Sequence, residues 1–251
     1  MWRCKPAPSL NERATATSPD TMRWFFTVLI ALAAGFAGSA LWDLSGLGDR
    51  STRAYLLANP EVLPEAMQVL QRREQVARIE PLRRELETPF PGAVLGNPAG
   101  SVTLVEFTDY ACTYCRQSVA DIDALIAANP DLRVVMREYP ILSAESLDAA
   151  RMALAAAQQG RYAQFHAAMF RLGPPTAQAI EAAAQEAGID LALARTAINS
   201  GAFDGHLQSN AALAGQLGIS GTPGWVVGDQ ALNGAVGRQA IGEAIEAARQ
   251  S

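Results

Sequence analysis

The chain is poor in cysteine, histidine and charge, with 3 Cys, 2 His and 18% charged residues in 251. So few cysteines cannot build the multi-bridge framework of a small stapled fold, and a chain of this length can bury a core without one. The 20 Lys and Arg are outnumbered by 25 Asp and Glu, for a net charge of -5, and no long basic cluster occurs. Neutralising a phosphate backbone needs the opposite balance, so no nucleic-acid partner is expected. No repeat or low-complexity tract is found, and 49% hydrophobic residues exclude a disordered chain. The length fits one full-sized domain with a smaller accessory segment.

What is present begins with an address. From Trp24 to Trp42 no charged residue occurs, and Arg3, Lys5, Arg13 and Arg23 precede the run. Basic-then-apolar order at an N-terminus fits an export signal or a single membrane anchor, with everything after Trp42 exported. As a helix the run is about 28 Å long, barely a bilayer core, so length leaves cleavage and retention both open. Gly35, Ala37, Gly38, Ser39 and Ala40 close it; Ala40 could end a cleaved peptide, and Met22 could be the true start. A buried core helix is the competing reading. Cys4, ahead of this run, is expected to be removed or left on the cytoplasmic side; a lipidated or catalytic Cys4 is the competing reading, but no cysteine stands just after the apolar stretch, where a lipoprotein signal would place it.

Residues 43–58 read as a linker entering a helix, which Asn59-Pro60-Glu61 starts by capping, fixing φ and complementing the dipole. Toward Ile79, Val62, Val69 and Val76 repeat every seven residues with Leu63 and Leu70 beside them. Such a stripe packs on its own domain or on a second copy, and too few heptads are present to decide. Pro81 and Pro89-Phe90-Pro91-Gly92 mark a boundary.

Beyond it, residues 102–107 predict a strand, Cys115–Ala128 a helix, Leu132–Tyr139 a strand stopped by Pro140, and Ser146–Leu217 helices broken at Gly160, Gly173, Gly188, Gly201 and Gly218. Gly224–Val227 and Gln230–Leu232 predict a hairpin, and Arg238–Arg249 a last helix. This order is an α/β fold whose mixed sheet has helices on both faces.

Two of the cysteines stand as Cys112-Thr113-Tyr114-Cys115, where a strand feeds the first turn of a helix. A disulfide exchanger needs one thiol to attack and one to resolve the mixed disulfide, and the amides of a helix start favour a thiolate at Cys112. Strand alternation sends Glu106 inward, where it could take the proton of Cys115; the competing reading is a carboxylate at a wet strand edge. Gly221-Thr222-Pro223 precedes a strand, where a cis proline would expose the Thr222 backbone to a substrate peptide. Thr222, Thr113 and Tyr114 are therefore the candidate substrate contacts. Metal is the rival use of two thiols, yet no second CxxC exists, and His166 and His206 stand singly in helical segments, where packed or surface imidazoles are expected rather than ligands. A two-thiolate copper(I) site stays open.

The run Glu106–Cys115, with Arg137-Glu138-Tyr139-Pro140-Ile141-Leu142 and Gly221-Thr222-Pro223, resembles the DsbA-like family of exported thiol:disulfide oxidoreductases over residues 93–250. The resemblance implies a thioredoxin-like fold over residues 93–251 with a helical insertion at about 143–218, Cys112 attacking, Cys115 resolving, Glu106 as buried acid and Pro223 as cis-proline. It implies protein substrates bearing thiols or disulfides, an unidentified membrane redox partner, an extracytoplasmic location such as the periplasm, and no cofactor. Thr108 departs from the aromatic that many relatives carry there. Residues 55–74 resemble the N-terminal segment of ScsC-type members, which implies a helical segment at 43–92 and a homo-oligomer formed through residues 55–86. Oxidase and isomerase remain open, and the alternative is a thiol-dependent copper-binding or chaperone module using the same pair.

Overall fold

Residues 19–45 and 47–250 are described by the computed structural model, with side chains for 22–41 and 51–250. Cys4, Arg3, Lys5 and Arg13 lie outside the described residues. The chain divides into two units between Met67 and Gln68.

In the first unit, helix α1 (Pro19–Ser45) contains Met22–Leu41, apolar and long enough to cross a membrane, with mean hydropathy 1.9. Its described side chains are exposed, so this segment does not make the buried core helix of the competing reading. The expected linker is instead mostly helical, as α2 (Leu47–Ala58), because no residue between Asp49 and Ala58 breaks a helix. Helix α3 (Val62–Ile79) follows Asn59-Pro60-Glu61 as expected. Asn59 plays a different part, however. Its backbone amide and its side-chain Nδ2 both donate to the Tyr55 carbonyl at 2.9 Å, so it closes α2 rather than capping α3.

The second unit takes up α3, whose Val69 and Leu70 are exposed while Ile79 is buried. A 3-10 turn at Glu80–Leu82 and the short α4 (Arg83–Glu87) come next. Five strands follow: β1 (Val94–Gly96), β2 (Val102–Thr108), β3 (Leu132–Glu138), β4 (Gly224–Val227) and β5 (Gln230–Asn233). They form one sheet in the order β1-β3-β2-β4-β5. The central pair β2 and β3 is parallel, and the outer pairings are antiparallel. Strand β1 has no counterpart in the sequence reading; three residues are too short for a pattern of period two to register.

Helix α5 (Thr113–Ala128) joins β2 to β3. Between β3 and β4 lie α6 (Ala144–Gln158), α7 (Tyr162–Leu172), α8 (Ala177–Glu186), α9 (Leu191–Asn199) and α10 (Asp204–Leu217), and α11 (Gly237–Arg249) ends the fold. The helix breaks fall at the expected glycines; Gly218 sits at φ 72°, a left-handed C-cap that a Cβ would disfavour.

Alternation along the strands sorts the core into two layers. Leu104, Val134, Met136 and Trp225 face α5, α6 and α7, where the small side chains of Ala149, Ala150, Ala153 and Ala156 let a helix approach closely. Val105, Phe107, Val135 and Val226 face Leu213 and Leu217 of α10 together with Ile79 and Leu86. Burying a side chain the size of Phe107 contributes about 2–3 kcal/mol, so both layers hold β2 and β3 firmly beneath the cysteine motif.

Candidate functional site

The motif lies at the C-terminal end of β2, where the chain turns into α5. Cys112 is the N-cap of that helix, in extended conformation, and its Sγ accepts from the Cys115 amide at 3.4 Å. On the other side the Sγ donates to the Thr222 carbonyl at 3.2 Å. The Thr222-Pro223 peptide is cis, and Pro223 is itself tied by a bond from the Gly234 amide to its carbonyl. Thus the turn before β4 and the start of α5 meet at one sulfur. Both cysteines are free thiols, but they differ in access. Cys112 is 5% exposed beside the exposed Thr113 and Tyr114, whereas Cys115, one turn inward, is fully buried.

Burial drives the Cys115 thiol pKa well up, and the nearby Glu106 carboxylate adds to that. Glu106 is 3% exposed, on the same sheet face as Leu104 and opposite Trp225 of β4 in the strand register. It is not a wet strand-edge carboxylate. Burial pushes it up to about 8. Thr108, two residues on, is fully buried, so the position that departs from the family's aromatic places a small polar side chain inside the fold.

Two loops are fastened at the rim by Asp109. Its Oδ1 accepts from the Ala111 amide at 2.8 Å, and its Oδ2 accepts from the amides of Ile141 and Leu142 at 2.9 and 3.0 Å. Ile141 and Leu142 are exposed beside a groove of about 310 Å³ that runs past Leu147 to Leu207.

A buried polar cluster lies on the same face and went unnoticed in the sequence. Glu138, at the end of β3, is fully buried and accepts from the Tyr162 hydroxyl at 2.7 Å and the Tyr110 hydroxyl at 3.3 Å. Tyr110 also meets His166 Nδ1 at 3.3 Å, and His166 stacks on Tyr162. Burial pushes Glu138 up to about 8 and pulls His166 down to about 4, so the imidazole is neutral. The available signal was parity: Val134, Met136 and Glu138 share one face of β3. His206 sits against Phe90. Among the described residues no group of three or more His, Cys, Asp or Glu could hold a metal ion.

A helix-start thiol, a buried partner thiol, a buried acid below and a cis proline opposite is an arrangement fit for thiol exchange, and the family model described as the DSBA-like thioredoxin domain matches residues 103–246. The chain belongs to this DSBA-like family of thiol:disulfide oxidoreductases. A second family model, the copper resistance protein ScsC N-terminal domain, matches residues 52–77. Among solved structures, a thioredoxin-like oxidoreductase from Silicibacter pomeroyi is 41% identical, covering 63% of this chain and 92% of that one with a TM-score of 0.61. The thiol-disulfide exchange protein alpha-DsbA2 of Wolbachia pipientis is 26% identical, covering 71% and 97% with a TM-score of 0.64. A linker-deletion mutant of Proteus mirabilis ScsC, 24% identical over 79% of this DSBA-like chain and 92% of its own with a TM-score of 0.61, shares the fold. One curated relative, the Na(+)/H(+) antiporter NhaA 1 of Mycolicibacterium gilvum, is 40% identical over 72 residues, and the chain spans only 12% of its length.

Proposed function

We propose that this protein exchanges disulfides in exported proteins through Cys112 and Cys115. The observation that carries the reading is the position of the Cys112 sulfur, at the start of α5 and within 3.2 Å of the carbonyl before the cis Pro223. The Cys112 thiolate attacks a substrate disulfide, forming a Cys112–substrate disulfide and expelling one substrate thiolate. Cys115 then gives its proton to the Glu106 carboxylate and attacks the Cys112 sulfur, so the second substrate thiolate leaves and the substrate is reduced while the enzyme is oxidised. Run backwards, the same steps oxidise a substrate dithiol. Thr222 offers its backbone to the substrate strand, while Thr113 and Tyr114 form the exposed wall beside Cys112.

Met22–Leu41 supports an extracytoplasmic site of action, as a signal or an anchor in the inner membrane, and a membrane redox partner would reset the pair. The match of residues 52–77 to an ScsC N-terminal model and the exposed Val69 and Leu70 support a homo-oligomer through residues 55–86, which would favour isomerase work.

Insulin reduction and refolding of reduced ribonuclease test the reading. Wild type is expected to be active, Cys112→Ser inactive, and Cys115→Ser trapped as a mixed disulfide. The printed name of the N-terminal family model favours one rival, a copper-binding or chaperone module. A wild type inert in both assays, with copper binding unchanged by Cys112→Ser, would sink the exchange reading.

A further inference from the structure

We propose that Glu138 is a positioning residue for the exchange chemistry: sharing the buried face of the sheet with Glu106, it competes for the same proton and so decides when Glu106 is free to accept one from Cys115. This rests on the proposed role of Glu106. The geometry begins in the parallel register, where Glu106 stands beside Met136 and Thr108 beside Glu138. Paired residues of neighbouring strands point to the same side, so Glu106 and Glu138 are diagonal neighbours on one face. Both are buried in the layer that also holds Cys115, and the Glu106 charge is among the causes that push Glu138 up.

Two carboxylates this close in an apolar layer resist being ionised together, so the more stabilised anion forms first and holds the other protonated. The surroundings pick the order. Glu138 Oε1 has two hydroxyl donors, Tyr162 at 2.7 Å and Tyr110 at 3.3 Å, whereas the Thr108 hydroxyl alone favours the Glu106 anion. The remaining titratable groups facing the pair are Cys112 and Cys115 at the α5 start, Asp109 in the loop after β2, and neutral His166 on α7. Asn210 of α10 binds the Glu138 backbone carbonyl, and Arg137 turns to the opposite face. No cation therefore meets the two carboxyls among the described residues. Glu138 Oε2 has no hydrogen-bond partner among the described residues and is fully buried, which leaves room in the cluster for a proton rather than a fixed bond.

The signs follow. Removing the competing anion lets Glu106 ionise at lower pH, and so does removing the short Tyr162 donor, which weakens the Glu138 anion. The test uses the full chain labelled with 13C at Glu carboxyl carbons, the Glu106 signal being assigned by its loss in Glu106→Gln. In Glu138→Gln the Glu106 titration midpoint is expected to fall by roughly one pH unit, and in Tyr162→Phe by less. The pH midpoint of mixed-disulfide resolution, followed by stopped-flow release of a thiol from a Cys112-linked peptide, is expected to fall with it. An unchanged Glu106 midpoint in Glu138→Gln overturns the proposal; should that variant not fold, an unchanged midpoint in Tyr162→Phe does so. If the Glu106 titration moves and the resolution rate does not follow, the competition stands and the assignment of Glu106 as proton acceptor fails. A residue that merely supports the fold would change rates and stability while leaving both midpoints in place.

Discussion

The two faces of the central sheet both bury charge, and they treat it in opposite ways. On the α10 side, Arg137 is 2% exposed, and its two terminal nitrogens are fully engaged: Nη1 donates to Asn210 Oδ1 at 3.1 Å, and Nη2 to the carbonyls of Glu85, Leu86 and Thr88. On the α5 side, no cation among the described residues meets Glu106 or Glu138. A buried ion surrounded by fixed donors or acceptors holds structure together, whereas a buried acid short of partners keeps its proton exchangeable. The neighbouring strand positions Arg137 and Glu138 thus serve different ends. One ties the segment ending α4 to the sheet, and the other belongs with the cysteines.

The comparison can be broken most severely at Arg137. Arg137→Met takes the guanidinium from the Leu86 and Thr88 carbonyls and from the buried Asn210 Oδ1, and is expected to cost about 3–5 kcal/mol in denaturant unfolding, with little dependence on pH. Next comes Glu106→Gln, which removes the proposed proton acceptor of Cys115; resolution is expected to slow on the order of 100-fold in single-turnover release, with Cys112 attack unaltered.

A smaller effect tests the carboxyl pair through stability. Glu106 and Glu138 hold protons in the fold up to about pH 8 that the unfolded chain releases near 4.5, so stability falls as pH rises through that window. His166 and His206, neutral in the fold down to about 4 and protonated below 6.5 when unfolded, make it fall as pH drops from 6.5 to 4. Above pH 6.5 the two histidines no longer contribute to the slope. Glu138→Gln is expected to flatten the fall in stability between pH 6.5 and 8, as read from urea midpoints. An unaltered slope would place Glu138 with Arg137 as a structural charge. The smallest expected change is Tyr110→Phe, about 1 kcal/mol at pH 6.5, since its bonds are long at 3.3 Å.

Much of this was legible in the sequence. The order of strands and helices from Val102 to Arg249, the glycine breaks and the inward Glu106 all follow from period, caps and alternation, because each is decided within a few residues. Strand β1 was not, since Val94–Gly96 earns its place by pairing with Val134 and Val135 rather than by any pattern of its own. Residues 43–58, read as a linker entering a helix, are helical from Leu47 on, because nothing after Gly48 opposes a helix. Glu138 was quoted only as part of a motif. Its burial depends on Tyr110, Tyr162 and His166, which arrive from a loop and from α7, and one sequence offers no local sign of that meeting.

Asp109 has a consequence for speed. A single carboxylate joins Ala111 to Ile141 and Leu142, so the loops on either side of Cys112 are set before any substrate arrives. An incoming unfolded chain then surrenders only its own disorder on docking, while the protein contributes almost none. In the proposed exchange, such a surface meets a substrate sulfur with Cys112 already set in its reactive pose.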